Sequence, residues 1–129
     1  GVKPKVAMLS FSNFGTSSEL RTDRIEEAVA MARELDSTLV IDGPMQADTA
    51  LVPEIQKDFP FMSFEGAANV LVCPNLASAN IAYKLLQRIA GAEMTGPILE
   101  GLAKPAHVLQ RGDSVRQVVH MAAITAVDA

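Results

Sequence analysis

The sequence predicts an α/β fold, a layered α/β/α sandwich built around a mostly parallel β-sheet. Two observations predict it. Several short runs are apolar throughout instead of alternating with polar residues, which is typical of strands that helices cover on both faces. Between these runs lie longer stretches with apolar residues at helical spacing, so that strands and helices alternate along the chain.

The strands are predicted from the apolar runs. The candidates are residues 6–11, 39–41, 69–73 and 98–99, with a brief fifth strand over residues 106–109. The tripeptide Asp42-Gly43-Pro44 is expected to end the second strand, because glycine and proline favour turns. Residues 59–66 are predicted to form a loop whose aromatic side chains cover the core.

Four helices are predicted from the apolar spacing and from residues that start or end helices. They cover residues 22–35, 48–57, 77–90 and 114–126, the second one despite Pro53. The pairs Asp23 with Glu26 and Ser114 with Gln117 have the spacing of a capping box. The apolar stripes consist of Ile25, Ala28, Val29 and Ala32 in the first helix, Ile81, Leu85, Leu86 and Ile89 in the third, and Val115, Val118, Val119, Ala122 and Ala123 in the last. The predicted order is βαβαβαββα.

Composition excludes several classes of function. The 129 residues have the size of one domain, and a net charge of −4 gives no footprint for nucleic acid or for an anionic membrane. No apolar run approaches the roughly 18 residues of a membrane span. Cys73 is the only cysteine, which excludes an internal disulfide and suits a cytoplasmic protein. No group of residues has the spacing of metal ligands.

Two loops follow predicted strands at the end of the sheet where ligands gather. Residues 12–18 are rich in hydroxyl groups, and such a loop can hold a phosphate, although the composition alone favours a solvated loop. The spacing is not that of a Walker loop, because the lysine is missing. Residues 74–80 join the third strand to its helix at the same end of the sheet.

Several segments resemble a known family in order along nearly the whole chain. They read SFSNFG at residues 10–15, IDGPMQADTALVPEI at 41–55, PNLASANIAYKLLQRIAG at 74–91, GPILEGLAKPAHVL at 96–109 and SVRQVVHMAAITAVDA at 114–129. Together they resemble the C-terminal part of phosphate acetyl/butyryl transferases, most of all the variant fused to bacterial hybrid NADP-dependent malic enzymes. The resemblance implies an isocitrate/isopropylmalate dehydrogenase-like fold, with residues 102–129 packing on an N-terminal half that lies outside this chain.

The resemblance also implies a set of ligand-binding residues. The loop of Ser10, Ser12 and Asn13 lines the cleft in these enzymes. Arg88 matches an arginine that contacts coenzyme A, and a guanidinium group suits phosphate because it donates two parallel hydrogen bonds. From the residues alone, Arg88 reads equally as a solvated cation at the end of a helix.

The family's catalytic positions differ in this chain. Active members carry a Ser-Arg pair and an aspartate proposed to act as the base, and here these positions are Gln110, Arg111 and Gln117. An amide takes up no proton at neutral pH, so Gln117 cannot serve as the general base. Asp113 is expected to act as a cap, and His107 and His120 match no catalytic position of the family.

Three functions remain open. The favoured one is a regulatory and assembly module of an NADP-dependent malic enzyme that binds acetyl-CoA, or a related thioester, without transferring the acyl group. The malic reaction, with NADP and Mg or Mn, would belong to regions outside this chain. The second is an active acyltransferase that exchanges acyl groups between coenzyme A and phosphate. The third is an oligomerisation domain without ligand. All three predict a homo-oligomer.

Overall fold

The computed structural model describes residues 1–15 and 20–129 and contains three strands and five helices in that part of the chain. In chain order these are β1 (Lys5–Leu9), α1 (Leu20–Leu35), β2 (Val40–Met45), α2 (Ala47–Leu51), α3 (Pro53–Gln56), β3 (Val70–Val72), α4 (Leu76–Ile89) and α5 (Val115–Val127). Two compact units divide the chain, residues 1–82 and residues 83–129, and each is described by itself. Residues 16–18 of the predicted polar loop lie outside the described residues.

The first unit contains a parallel sheet of three strands in the order β2-β1-β3. In the central strand, Val6 pairs with Ile41 on one side and with Val70 on the other. All three strands run in the same direction, which places their carboxyl ends at one edge. The predicted α/β class with a mostly parallel sheet is therefore confirmed.

Successive side chains of β1 enter two different cores. Val6 packs with Val29 of α1 and with Ile41 on one face of the sheet. On the other face Ala7 packs with Met45, the last residue of β2, and with Ala50, Phe64 and Ala68, which follow this strand in the chain. Because neighbouring side chains of a strand point to opposite faces, this short apolar run fills both layers. The stripe predicted for α1 is confirmed at Val29, which is 4% exposed.

Several boundaries in the first unit differ from the prediction. β2 does not end at Asp42 but continues through Gly43 and Pro44 to Met45. The irregular pairing between Ala7 and Leu9 of β1 accommodates the glycine and proline in the neighbouring strand. The helix predicted over residues 48–57 is two short helices, because Pro53 starts the second one as its first residue. The capping box predicted at Asp23 was wrong, since α1 already begins at Leu20.

The second unit has less regular structure than the sequence predicted. Residues 98–99 and 106–109 lie outside any strand that the structure describes. Short apolar runs become strands only when a neighbouring strand supplies hydrogen bonds, and the described sheet ends at β3. The capping box at Ser114 is confirmed: Gln117 N donates to Ser114 Oγ at 3.3 Å and Ser114 N donates to Gln117 Oε1 at 2.8 Å.

The apolar faces of α4 and α5 are largely exposed in the described chain. In α4, Ile81 is 62% exposed and Ile89 is 80% exposed. The stripe predicted for α5 turns outward, since Val115 and Val119 are exposed and the buried residue of this helix is Met121. Among the described helices, none is long and apolar enough to span a membrane.

Thr49 carries a buried hydroxyl group that offers a simple test of the first core. The residue is fully buried, and its Oγ1 finds no hydrogen-bond partner among the residues that the structure describes. We expect Thr49→Val to raise the free energy of unfolding by about 1 kcal/mol, because an unsatisfied buried hydroxyl costs that much. Thr49→Ser keeps the hydroxyl and should lower it by about 1 kcal/mol through the lost methyl group. Urea unfolding measures both changes, and a destabilised valine variant would contradict the assignment.

Candidate ligand-binding site

A cleft lies at the carboxyl ends of β1 and β3 in the first unit. Its volume is about 440 Å³, and its lining includes Ser10, Phe11, Cys73, Asn75 and Ser78. The cleft exists because parallel strands end at the same edge of the sheet, and α4 begins there directly after β3. In open parallel sheets this edge is the usual place for a ligand.

Asn75 shapes the start of α4 beside this cleft. Its Oδ1 accepts a hydrogen bond from Ser78 N at 2.9 Å, and its backbone carbonyl accepts one from Ser78 Oγ at 2.9 Å. An asparagine that accepts from the third residue of a helix caps the helix start. The positive end of the α4 dipole therefore faces the cleft, which favours a negatively charged ligand group there.

The loop after β1 is held in place by Gln46. Asn13 Oδ1 accepts a hydrogen bond from Gln46 N at 2.7 Å, and Gln46 Nε2 donates to Phe11 O at 2.6 Å. Ser10 N is bound in turn to Met45 O at 2.8 Å. The contact between Gln46 and Asn13 could not be predicted from the sequence, because it joins residues 33 positions apart and leaves no local signal.

The three loop residues predicted to approach a ligand take different positions. Ser10 lines the cleft. Ser12 is 6% exposed, and its Oγ has no hydrogen-bond partner within the described ranges. The side-chain oxygen of Asn13 already accepts a hydrogen bond from Gln46 N. Of the three, Ser10 is the one placed to touch a molecule in the cleft, whereas Asn13 fixes the loop that carries it.

Asp42 was expected to lie in a turn at the end of the second strand, and it lies within β2, where its carboxylate contacts two other parts of the first unit. Its Oδ2 accepts a hydrogen bond from Ser63 N at 2.6 Å, and its Oδ1 lies 3.3 Å from the Arg33 guanidinium. Arg33 also donates to Ile41 O at 2.6 Å. The carboxylate thus joins β2, α1 and the loop before β3.

Arg88 and Arg111 lie in the second unit, and both are exposed. Neither guanidinium group has a hydrogen-bond or ion-pair partner among the residues that the structure describes. Arg88 is in the last turn of α4. Exposed guanidinium groups without a protein partner remain available to bind an anion.

Arg111 sits in a tight turn directly before α5. Asp113 N donates to Gln110 O at 3.1 Å, and Gln110 N donates to Asp113 Oδ2 at 2.6 Å. Gly112 adopts the left-handed backbone that this turn requires, with φ of 94°. The Asp113 carboxylate therefore closes the turn, and Ser114 provides the cap of the helix.

Gln117 is engaged at both ends of its amide. Oε1 accepts a hydrogen bond from Ser114 N at 2.8 Å, and Nε2 donates to Met94 O at 3.3 Å. The neighbouring Arg116 forms an ion pair with Glu93 at 2.6 Å. These contacts surround a small cavity of about 200 Å³ that His120 also lines. The side chain at position 117 thus serves the local structure and holds no free proton acceptor.

Metal chemistry has no candidate site in the described chain. No cluster of three or more histidine, cysteine, aspartate or glutamate side chains is arranged to hold a metal ion in residues 1–15 and 20–129. The predicted ligand residues are distributed over both units, with Ser10, Ser12 and Asn13 in the first and Arg88 and Arg111 in the second.

Comparison with known sequences gives matches over the whole chain. A sequence model described as phosphate acetyl/butaryl transferase matches residues 1–126. The phosphate acetyltransferase of Acetivibrio thermocellus is 48% identical over 130 residues, which cover all of this chain and 39% of that protein. The NADP-dependent malic enzyme of Salmonella typhimurium is 46% identical over 132 residues, which cover all of this chain and 17% of that enzyme.

Solved structures give the same result. A phosphotransacetylase from Streptococcus pyogenes matches with a TM-score of 0.90 and 42% identity, over 97% of this chain and 38% of that one. A phosphotransacetylase from Staphylococcus aureus matches with a TM-score of 0.88 and 41% identity, over 97% of this chain and 39% of that one. The chain therefore spans well under half the length of the relatives that it matches.

Proposed function

The chain belongs to the phosphate acetyl/butyryl transferase family, as its sequence resemblance predicted, and from this premise we propose that it binds acetyl-CoA or a related thioester without transferring the acyl group. A domain of this family occurs both in phosphate acetyltransferases and in NADP-dependent malic enzymes. We propose that this copy is the regulatory and assembly module of a malic enzyme.

The main support for the proposal is that the amide of Gln117 is hydrogen-bonded at both of its ends. Acyl transfer from coenzyme A to phosphate, or its reverse, needs a group that takes up the thiol proton. The amide of Gln117 takes up none at neutral pH, and both of its ends are bound to Ser114 N and Met94 O. Asp113, the nearest carboxylate in sequence, accepts the hydrogen bond of Gln110 N instead. A site built this way can hold a thioester and leave it intact.

Binding is supported by the groups that remain free. Coenzyme A carries phosphates, and Arg88 and Arg111 are exposed cations without a partner in the described chain. Within the first unit, the cleft beside Ser10 lies at the positive end of the α4 dipole, which favours a negatively charged group there. Charge-assisted hydrogen bonds from arginine to phosphate are among the strongest that proteins make.

The regulatory part of the proposal follows from the binding part. A ligand controls a distant site only if its affinity differs between two states of the protein, and no chemistry at the sensing site is required. The controlled reaction would be the oxidative decarboxylation of malate to pyruvate with NADP and a divalent metal ion, carried by regions outside this chain. The single Cys73 suits a reducing cytoplasm as the place of action.

Self-association is the second part of the proposed function. The outward faces of α4 and α5 expose Ile81, Leu85, Val115 and Val119. Exposed apolar faces of this kind mark interaction surfaces, and a second copy of the chain can bury the same faces symmetrically. We expect sedimentation of a dilution series to show a dimer or a larger oligomer, and a stable monomer at micromolar concentration would contradict this part.

An active acyltransferase is the second candidate function, and the high identity to phosphate acetyltransferases favours it. Calorimetric titration with acetyl-CoA, together with an assay of phosphate-dependent acyl transfer, distinguishes the alternatives. Binding without turnover supports the regulatory module. Turnover supports the transferase, and neither binding nor turnover leaves a domain for assembly alone.

Arg111 gives a direct test of the binding site. We expect Arg111→Ala to weaken acetyl-CoA binding about tenfold, because one charge-assisted hydrogen bond is lost. Arg111→Lys keeps the charge but not the planar donor pair, so its affinity should lie between the two. Lys57→Ala, which removes the same charge from a cation already paired with Glu54, should leave the affinity unchanged. Calorimetry of the three variants checks this, and an unchanged Arg111→Ala affinity would exclude the residue from the site.

A further inference from the structure

Gln46 holds the loop of residues 10–14 from outside the cleft. It lies between β2 and α2, and it is not among the described residues that line the cleft. Its Nε2 donates a hydrogen bond to Phe11 O at 2.6 Å. Its backbone N donates to Asn13 Oδ1 at 2.7 Å, and its Oε1 accepts from Asn13 Nδ2 at 3.4 Å. Because Phe11 lines the cleft next to Ser10, this glutamine joins the end of β2 to one wall of the cleft.

Phe14 ends the loop in an unfavourable backbone conformation. Its φ is 44°, and Phe14 is the one non-glycine residue of the described ranges with a positive φ. Its N–H donates a hydrogen bond to Pro44 O at 2.7 Å. Its ring packs edge to face against Phe61, with the centroids 4.9 Å apart, and lies 5.3 Å from the ring of Phe59. These contacts on the backbone and on the ring hold the residue in its strained conformation.

A strained residue that is held from several sides suggests that the shape of its segment serves a function. Such backbone persists only where the surrounding structure enforces it, and it concentrates at ligand clamps and active sites. We propose that Gln46 and Phe14 are positioning residues, which hold the loop in its ligand-binding shape before any ligand arrives. This inference rests on the proposed function, since it takes the cleft beside Ser10 as a place where the thioester binds.

A loop that is fixed in advance raises the affinity for a ligand. Ordering loops and side chains during binding costs free energy, and a preformed site avoids that cost. Ser10 and Phe11 present the loop to the cleft, whereas Gln46 and Phe14 lie outside its described lining. Changes at Gln46, or at the aromatic partners of Phe14, should therefore weaken binding although these side chains do not contact the ligand.

Amide hydrogen exchange, measured by NMR on the ligand-free chain of 129 residues, tests whether Gln46 holds the loop. Gln46→Met keeps the length of the side chain but removes its hydrogen bonds to Phe11 and Asn13. We expect the protection of the Phe14 amide to fall about fivefold, as the loss of one ordinary hydrogen bond predicts. The amides of β1 should keep their protection. An unchanged Phe14 protection in this variant would overturn the proposal.

Calorimetric titration with acetyl-CoA tests whether the loop serves binding. We expect Gln46→Met to weaken the affinity about fivefold, because the ligand must then order the loop. Asn69→Leu is the matched control, since the Asn69 amide joins Lys5 N at 2.8 Å to Lys3 O at 2.9 Å at the opposite end of the sheet. This control should lower the free energy of unfolding and leave the affinity unchanged. Equal losses of affinity in the two variants would show a general effect of stability and would overturn the proposal.

Phe61→Leu tests the aromatic contact with Phe14 in the same two measurements. The change removes an edge-to-face ring pair, so the protection of the Phe14 amide and the affinity for acetyl-CoA should each fall about threefold. If the native chain binds acetyl-CoA and Gln46→Met binds it equally well, the positioning role fails and the proposed function stands. If the native chain does not bind acetyl-CoA, the proposed function fails, and positioning for this ligand fails with it.

Discussion

Exchanging Gln110 for serine and Gln117 for aspartate in the same chain is expected to raise acetyl phosphate formation from acetyl-CoA and phosphate about 100-fold or more. A positioned general base contributes on the order of 100- to 10,000-fold to such reactions. The native amide contributes none, because an amide takes up no proton at neutral pH. Its oxygen accepts a hydrogen bond from Ser114 N, and its nitrogen donates one to Met94 O. An aspartate at position 117 gives up the bond to Met94 and supplies a proton acceptor in its place.

The matched control for this exchange is the double variant with serine at position 110 and asparagine at position 117. Asparagine has the shape of aspartate but takes up no proton, so a difference between the two doubles isolates the base. Both variants should unfold at similar urea concentrations. If the native chain formed acetyl phosphate as fast as the aspartate variant, acyl transfer would not depend on a base at position 117, and the proposal would be contradicted.

Gly43→Ala is expected to lower the free energy of unfolding by about 3 kcal/mol, through backbone strain and a steric clash together. The residue has φ of 140°, a backbone conformation that side chains rarely allow. A Cβ atom there would lie 2.5 Å from Met8 O and 2.8 Å from Met8 Cβ in the central strand. Because both atoms belong to or sit directly on the backbone of β1, neither can move away without shifting the strand.

Gly66→Ala separates the clash from the backbone strain. Gly66 also has a positive φ, 79°, but the nearest atom to its added Cβ is Lys5 Nζ at 3.4 Å, the end of a flexible side chain. This variant should cost about 1 kcal/mol from the left-handed backbone alone. Thermal and urea unfolding of both variants measure the difference. Equal costs would show that the strand tolerates a methyl group at position 43.

The parts of the fold that follow from local patterns could be predicted from the sequence. The run at β1 and the stripe around Val29 carry their periodicity within a few residues, and Ser114 with Gln117 is a complete capping signal. Residues 98–99 were wrongly expected to form a strand because pairing depends on a neighbour that no local pattern reveals. β2 passes through Gly43 and Pro44 for a related reason: the adjoining strand, not the tripeptide, determines how far it extends.

The sequence supplied hypotheses for the residues of the candidate site but not for the contacts that they make. Hydroxyl and guanidinium chemistry, together with the family resemblance, pointed to Ser10 and Arg111. The attachment of Asn13 to Gln46 and of Leu99 to His107 could not be read from sequence, because each joins residues that are distant along the chain. The hydrogen bond from Gln117 Nε2 to Met94 O could not be predicted either, because it also joins residues that are distant along the chain.

Phosphorus NMR of the chain mixed with acetyl-CoA and inorganic phosphate tests the central claim in one sample. The account predicts that the coenzyme A resonances shift or broaden as the thioester binds, while no acetyl phosphate resonance develops. Growth of an acetyl phosphate signal at a rate set by the protein concentration would contradict the proposed loss of chemistry. Coenzyme A resonances that stay sharp and unshifted would contradict the proposed binding.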